Sequence, residues 1–120
     1  MRYTLLFLIL ATVLAGAEAT GRWTGKLIVN SPDGEQSHAA MVVFKQDGTS
    51  LTGTAGPDDD QTPIQNGKVD GSTITFDIAR DGIVMHFNLK QNEDEIAGEV
   101  TREREGQKQT ARLILKREKQ

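Results

Sequence analysis

Arg102 and Gln109 are the side chains from which a binding chemistry is most directly built. Strand alternation through the last two apolar segments puts Arg102 on the apolar phase one step beyond Val100, with Gln109 opposite it. A guanidinium at the end of an apolar face suits an anionic head group, because its planar fork matches a carboxylate. The alternative is a strand end that has left the core, with Arg102 solvated. His38 falls on the same inward phase near the end of its own segment. Trp23, the only tryptophan, completes the set of candidate ligand contacts: Arg102, Gln109, His38 and Trp23.

Other groupings lead less far. His86 opposite Asp77 would orient an imidazole as a general base, but both stand on the polar face of a hairpin, where cross-strand ion pairs are commonplace. Asp58-Asp59-Asp60 gathers hard oxygen ligands, yet it lacks the alternating pattern of an EF-hand loop and the bidentate Glu that closes one. An acidic loop is expected there. His38 and His86 are the only histidines and there is no cysteine, so no zinc set can be completed. No serine sits in a Gly-x-Ser-x-Gly turn. Catalytic residue, metal and cofactor are all assigned as none.

The elements that must position these residues are strands. Turn signals recur at Asp33-Gly34, Asp47-Gly48, Gly56 to Gln61, Asn66-Gly67, Asp70-Gly71, Asp81-Gly82, Asn92 to Glu95 and Glu105-Gly106, separating short Val-, Ile-, Thr- and Phe-rich segments. A two-residue turn fixes the pairing on either side of it. Turning at Asp81-Gly82 sets Ile78 opposite Met85, Phe76 opposite Phe87 and Ile74 opposite Leu89, with Asp77 facing His86 on the polar side. Turns through Glu93-Asp94 and Glu105-Gly106 set Phe87 opposite Val100, Val100 opposite Ala111, Gly98 opposite Leu113 and Ile96 opposite Leu115. One face stays apolar across all four strands.

In the first half, Asp47-Gly48 predicts Phe44 opposite Leu51 and Val42 opposite Gly53, with Trp23, Leu27 and Val29 alternating on the strand before. A simple turn at Asp70-Gly71 would put Gln65 opposite Phe76 and push Ile64 outward, so a bulge or longer loop is expected near Asn66-Gly67. The fold class is therefore all-β, an antiparallel up-and-down meander of about eight strands closed into a small barrel, with a β-sandwich as the alternative. Gly25, Gly53 and Gly98 fall on the inward phase, where a missing side chain either permits curvature or leaves space. Ile28, Met41, Val43, Val84 and Ile114 fall on the outward phase and would form a partner or oligomer surface if they gather into one patch.

The chain opens with Arg2, an apolar run from Leu5 to Leu14 and then Ala15, Gly16, Ala17 and Ala19, the three-part layout of a secretory signal. Cleavage after Ala17 or Ala19 fits; residues 1–19 are assigned to the signal peptide and 20–120 to a single β-barrel domain. A run of about ten apolar residues is well short of the ~20 that cross a bilayer as a helix. Without cysteine there is neither a lipoprotein acceptor nor a disulfide. A secreted or periplasmic location is expected, with no membrane span in the mature form. The net charge of −3, with both signs interleaved, offers no broad positive field and disfavours nucleic acid.

Gly21-Arg22-Trp23-Thr24-Gly25, followed by Asp47-Gly48 and Leu51-Thr52-Gly53-Thr54, resembles the opening of avidin-like and lipocalin-like barrels, the calycin group. The segment Asn66 to Phe76, Asn-Gly-Lys-Val-x-Gly-x-x-Ile-x-Phe, is similar to one found with such an opening in small secreted β-barrel proteins of environmental bacteria. The resemblance implies a closed barrel whose Trp23 indole closes the floor. It does not carry over biotin binding, which needs several tryptophans and a tyrosine where this chain has Trp23 alone and its one tyrosine in the leader. The functional expectation is an exported, non-enzymatic binding or interaction protein, engaging an unknown protein partner on its outer face. The alternatives are a carrier of a small apolar or anionic molecule in the barrel mouth and a barrel enzyme of isomerase or cyclase type.

Overall fold

The computed structural model describes residues 18–104 and 106–118. Nine strands run β1 (Gly21–Ser31), β2 (Gly34–Asp47), β3 (Ser50–Gly56), β4 (Thr62–Pro63), β5 (Gln65–Asp70), β6 (Thr73–Arg80), β7 (Ile83–Asn92), β8 (Glu95–Arg104) and β9 (Gln107–Arg117). Each main strand pairs antiparallel with the next, and β9 returns to pair with β1, so eight strands close into a barrel with the two-residue β4 as an extra rung on β3. Closure satisfies both edges of the meander, which a sandwich would leave open.

The expected register of the second half is present throughout. Phe76 pairs with Phe87, Phe87 with Val100 and Val100 with Ala111. At the first of these turns Asp81 (φ 54°) and Gly82 (φ 78°) are both left-handed, the conformation that Asx-Gly pairs adopt most cheaply. The first half differs. Phe44 pairs with Gly53 and Gln46 with Leu51, not Phe44 with Leu51 and Val42 with Gly53. The turn is carried by Gly48-Thr49 between the paired Asp47 and Ser50, because Gly48 takes the first central position at φ 67°, where glycine bears no penalty. The slip is two residues, so every side chain keeps its face.

The same displacement occurs at the next Asp-Gly, where Asp70 pairs with Thr73 and Gly71-Ser72 turn the chain. The anticipated bulge follows: register shifts between Gln65 and Lys68, with Asn66 at φ 56°. It returns Ile64 to the interior, packed against the core.

The inward glycines serve curvature. A Cβ built on Gly25 would overlap the Ile114 carbonyl, and one on Gly53 the Val43 carbonyl, so neighbouring backbones already occupy the missing side chains' space. No room lies beside them. Burial instead grades along the barrel axis. Trp23, Phe44, Ile74, Phe76, Leu89, Ile96 and Leu115 are fully buried, and Phe76 stacks on Phe87 with centroids 4.4 Å apart. Further along the same inward rows, Leu27, Ala40, Met85 and Ala111 are only half-buried. One end is filled and the other is open.

The filled end includes residues that precede β1. Ala19 is fully buried there, its carbonyl accepts the Trp23 Nε1 proton at 2.9 Å, and its N–H donates to Gln46 Oε1 at 2.8 Å. Arg117, paired with Trp23 across β1 and β9, lays its guanidinium 4.3 Å from the indole centroid. It also donates to the Thr20 and Glu18 carbonyls and to Asp94.

Candidate functional site

At the open end, β1 and β9 stay paired only as far as Val29 and Ala111, and β3 reaches no further along β2 than Met41. The β1–β2 and β8–β9 hairpins therefore overhang the barrel on two sides. Between them lies a cleft of about 660 Å³, within the ~300 to 1,000 Å³ common to small-molecule sites. Leu27, Val29, Met85 and Ala111, the half-buried ends of the inward rows, supply its apolar wall together with the buried Val100.

Its polar groups stand at the rim. Arg102, half-buried and paired with Met85 on one side and Gln109 on the other, donates from Nε to Gln109 Oε1 at 2.6 Å. That bond fixes the plane of the guanidinium and leaves its terminal nitrogens without a protein partner among the described residues. His38, opposite Leu27, and Gln36, opposite Val29, close the facing side, and Lys108 adds a second cation. Among the described residues no carboxylate lines the cleft. A half-desolvated cation without an acidic partner is a poor stabiliser of a fold and a good receptor for an anion.

Three of the four expected ligand contacts, Arg102, Gln109 and His38, thus meet at one mouth. Trp23 does not join them, being sealed in the floor at the other end by Ala19 and Arg117. Phase reasoning missed Lys108, which alternates outward but borders the cleft because β1 no longer pairs with β9 at that level, leaving only β8 beside it. Arg117 was legible by the step that singled out Arg102, since it lies one position beyond Leu115 on the inward row.

The chain matches no family model, no curated protein and no solved structure. The site must be argued from its own geometry.

Ile28, Met41, Val43 and Ile114 lie on the adjacent strands β2, β1 and β9, but each is half-buried beside cross-strand neighbours such as Arg112, Thr24, Arg22 and Lys26. Val84, at 42% exposure the only exposed large hydrophobic among the described residues, stands apart on β7. The acidic loop is tied down, with Asp60 paired to Arg80 and Gln61 bonded to the Met41 and Gly56 carbonyls. Among the described residues no three His, Asp or Glu side chains converge on a metal position.

His86 and Asp77 do pair, on the outer face. His86 Nδ1 donates to Asp77 Oδ1 at 2.7 Å, and Asn66 Nδ2 donates to Oδ2 at 3.0 Å from the bulge. Partial burial opposes the charge on Asp77, but the bonds from Asn66 and His86, together with the charge of His86, outweigh it and hold the carboxyl below its ordinary value of 3.8. A depressed carboxyl contributes stability that is present above its unfolded pKa and lost as pH falls through the folded one. Urea midpoints should therefore decline as pH drops below 3.8, and Asp77→Asn should flatten that decline. An identical slope in both proteins would deny the pair any share in acid sensitivity. His86 is 62% exposed on the outer face, and neither residue of the pair lines the cleft.

Proposed function

We propose that this chain is an exported, calycin-like barrel that binds a small amphiphile, its apolar body against Leu27, Val29, Met85 and Val100 and its anionic head at Arg102. The observation that carries this reading is the lining of the mouth, an apolar wall with an oriented, carboxylate-free Arg102 at its rim. A filled barrel would have argued for a scaffold or partner protein instead. Here the filled half supports the open half, because it holds β1, β8 and β9 rigid beneath the cleft.

The export part of the reading rests on the leader layout and the absence of cysteine. The calycin-like part rests on the meander, the Gly-x-Trp opening and the indole closing the floor. Carrier rather than catalyst is favoured because the mouth offers the cations Arg102 and Lys108, the amides Asn30, Gln36 and Gln109 and the His38 imidazole but no arrangement of a nucleophile with its base.

Calorimetric titration with decanoate and with 1-decanol tests it. Decanoate should bind at least ~10-fold more tightly, since a charge-assisted hydrogen bond contributes roughly 1.5 to 3 kcal/mol. Equal affinities would remove the head-group role of Arg102. Binding of neither would sink the ligand reading.

A further inference from the structure

Both Ala15-Gly16-Ala17 and Ala17-Glu18-Ala19 satisfy the small-x-small rule for removal of an export leader, so the sequence alone leaves two bonds open. The barrel floor distinguishes them. On the reading that this chain is exported, we infer that the leader is cut at the Ala17–Glu18 bond and that Glu18 and Ala19 are structural residues of the mature protein.

Five hydrogen bonds and the burial of Ala19 carry this. Ala19 is wholly buried, and its carbonyl is the acceptor for the buried Trp23 Nε1. Its N–H reaches Gln46 Oε1. The Glu18 carbonyl accepts from Gln91 Nε2 at 3.0 Å and from Arg117 Nη2 at 2.9 Å, and the Glu18 carboxylate accepts from the Thr20 N–H at 3.0 Å. A cut after Ala19 would remove these two residues together, leaving the indole N–H without an acceptor and a hole under the ring. A cut after Ala17 removes none of them.

Gln91 is bound into the same segment. It is 7% exposed, its Nε2 is engaged by the Glu18 and Glu93 carbonyls, and its Oε1 is a buried acceptor without a partner. Cleavage after Ala17 would create an α-ammonium on Glu18, the residue whose carbonyl already holds that amide.

The full chain, expressed with its own N-terminus in a secreting bacterial host, gives a direct test by intact mass and N-terminal sequencing of the exported protein. The expected product begins Glu-Ala-Thr-Gly. A product beginning Thr-Gly-Arg-Trp would overturn the assignment while leaving the leader intact as an idea, and an unprocessed chain would overturn the leader itself. Ala15→Leu, which occupies the third position before the proposed bond but the fifth before its rival, should slow processing by at least tenfold. Processing at the unaltered rate would also overturn it. Ala15 lies outside the mature protein, so the variant cannot act through the stability of the barrel.

Discussion

Trp23→Ala should lower the unfolding free energy by about 4 kcal/mol, close to the top of the range for single core substitutions. Three losses coincide at this position. The indole is the largest fully buried side chain, its N–H is bonded to Ala19, and its ring supports the Arg117 guanidinium that ties Thr20, Glu18 and Asp94 to the end of β9. A domain of this size commonly has only ~5 to 15 kcal/mol in reserve, so the variant should sit near the edge of folding at 37 °C. Urea denaturation measures it, with a displaced midpoint and an unchanged slope as the sign of a purely energetic loss.

Trp23→Phe separates the floor from the mouth. It keeps most of the apolar area but strands the Ala19 carbonyl, and should cost about 1 to 3 kcal/mol. Decanoate affinity should be unaltered, because Trp23 and the cleft occupy opposite ends of the barrel. A loss of under 1 kcal/mol for Trp23→Ala would mean that the floor is not a keystone. A fall in affinity for Trp23→Phe would return the indole to the ligand site.

The contrast between Trp23 and Arg102 marks what was legible in the sequence. Strand phase is set by a period of two, and it survives any even error in register. Phe44 pairs two residues away from its expected partner, yet it still faces the core. Phase therefore identified Arg102, Gln109 and His38 as inward without knowing which end of the barrel they occupied. Position along the axis depends on where strands stop, and that is decided by neighbours far away in sequence. β3 ending at Gly56, opposite Met41, is what leaves His38 at an open rim. The three inward glycines were ambiguous for a related reason, since a vacant Cβ reads the same whether a cavity or another backbone fills it. Only the approach of the Ile114, Val43 and Asn88 carbonyls, to Gly25, Gly53 and Gly98 in turn, resolves them as points of curvature. The half-buried state of Ile28, Met41, Val43 and Ile114 was equally out of reach, because the side chains beside them come from three strands.

Arg102→Glu should abolish the preference for carboxylates without unfolding the barrel. Among the described residues the Arg102 side chain bonds to Gln109 alone, and it is half-buried at a rim, so exchanging it should change stability by no more than ~1 kcal/mol. Its effect on binding is of another order. Neutralisation to Gln forfeits a charge-assisted bond of roughly 1.5 to 3 kcal/mol, about 10- to 100-fold in affinity. Reversal to Glu adds repulsion in a site partly shielded from water, so decanoate affinity should fall beyond 100-fold, while 1-decanol, held only by the apolar wall, should change by less than threefold. Lys108 remains at the rim in both variants, which predicts that the residual carboxylate binding of Arg102→Gln weakens further as salt is raised, since an exposed lysine is screened more fully than a half-buried arginine. Equal losses for decanoate and decanol would instead show that Arg102 shapes the cleft rather than reading the head group. A stable Arg102→Glu protein with undiminished decanoate binding would place the anion site elsewhere.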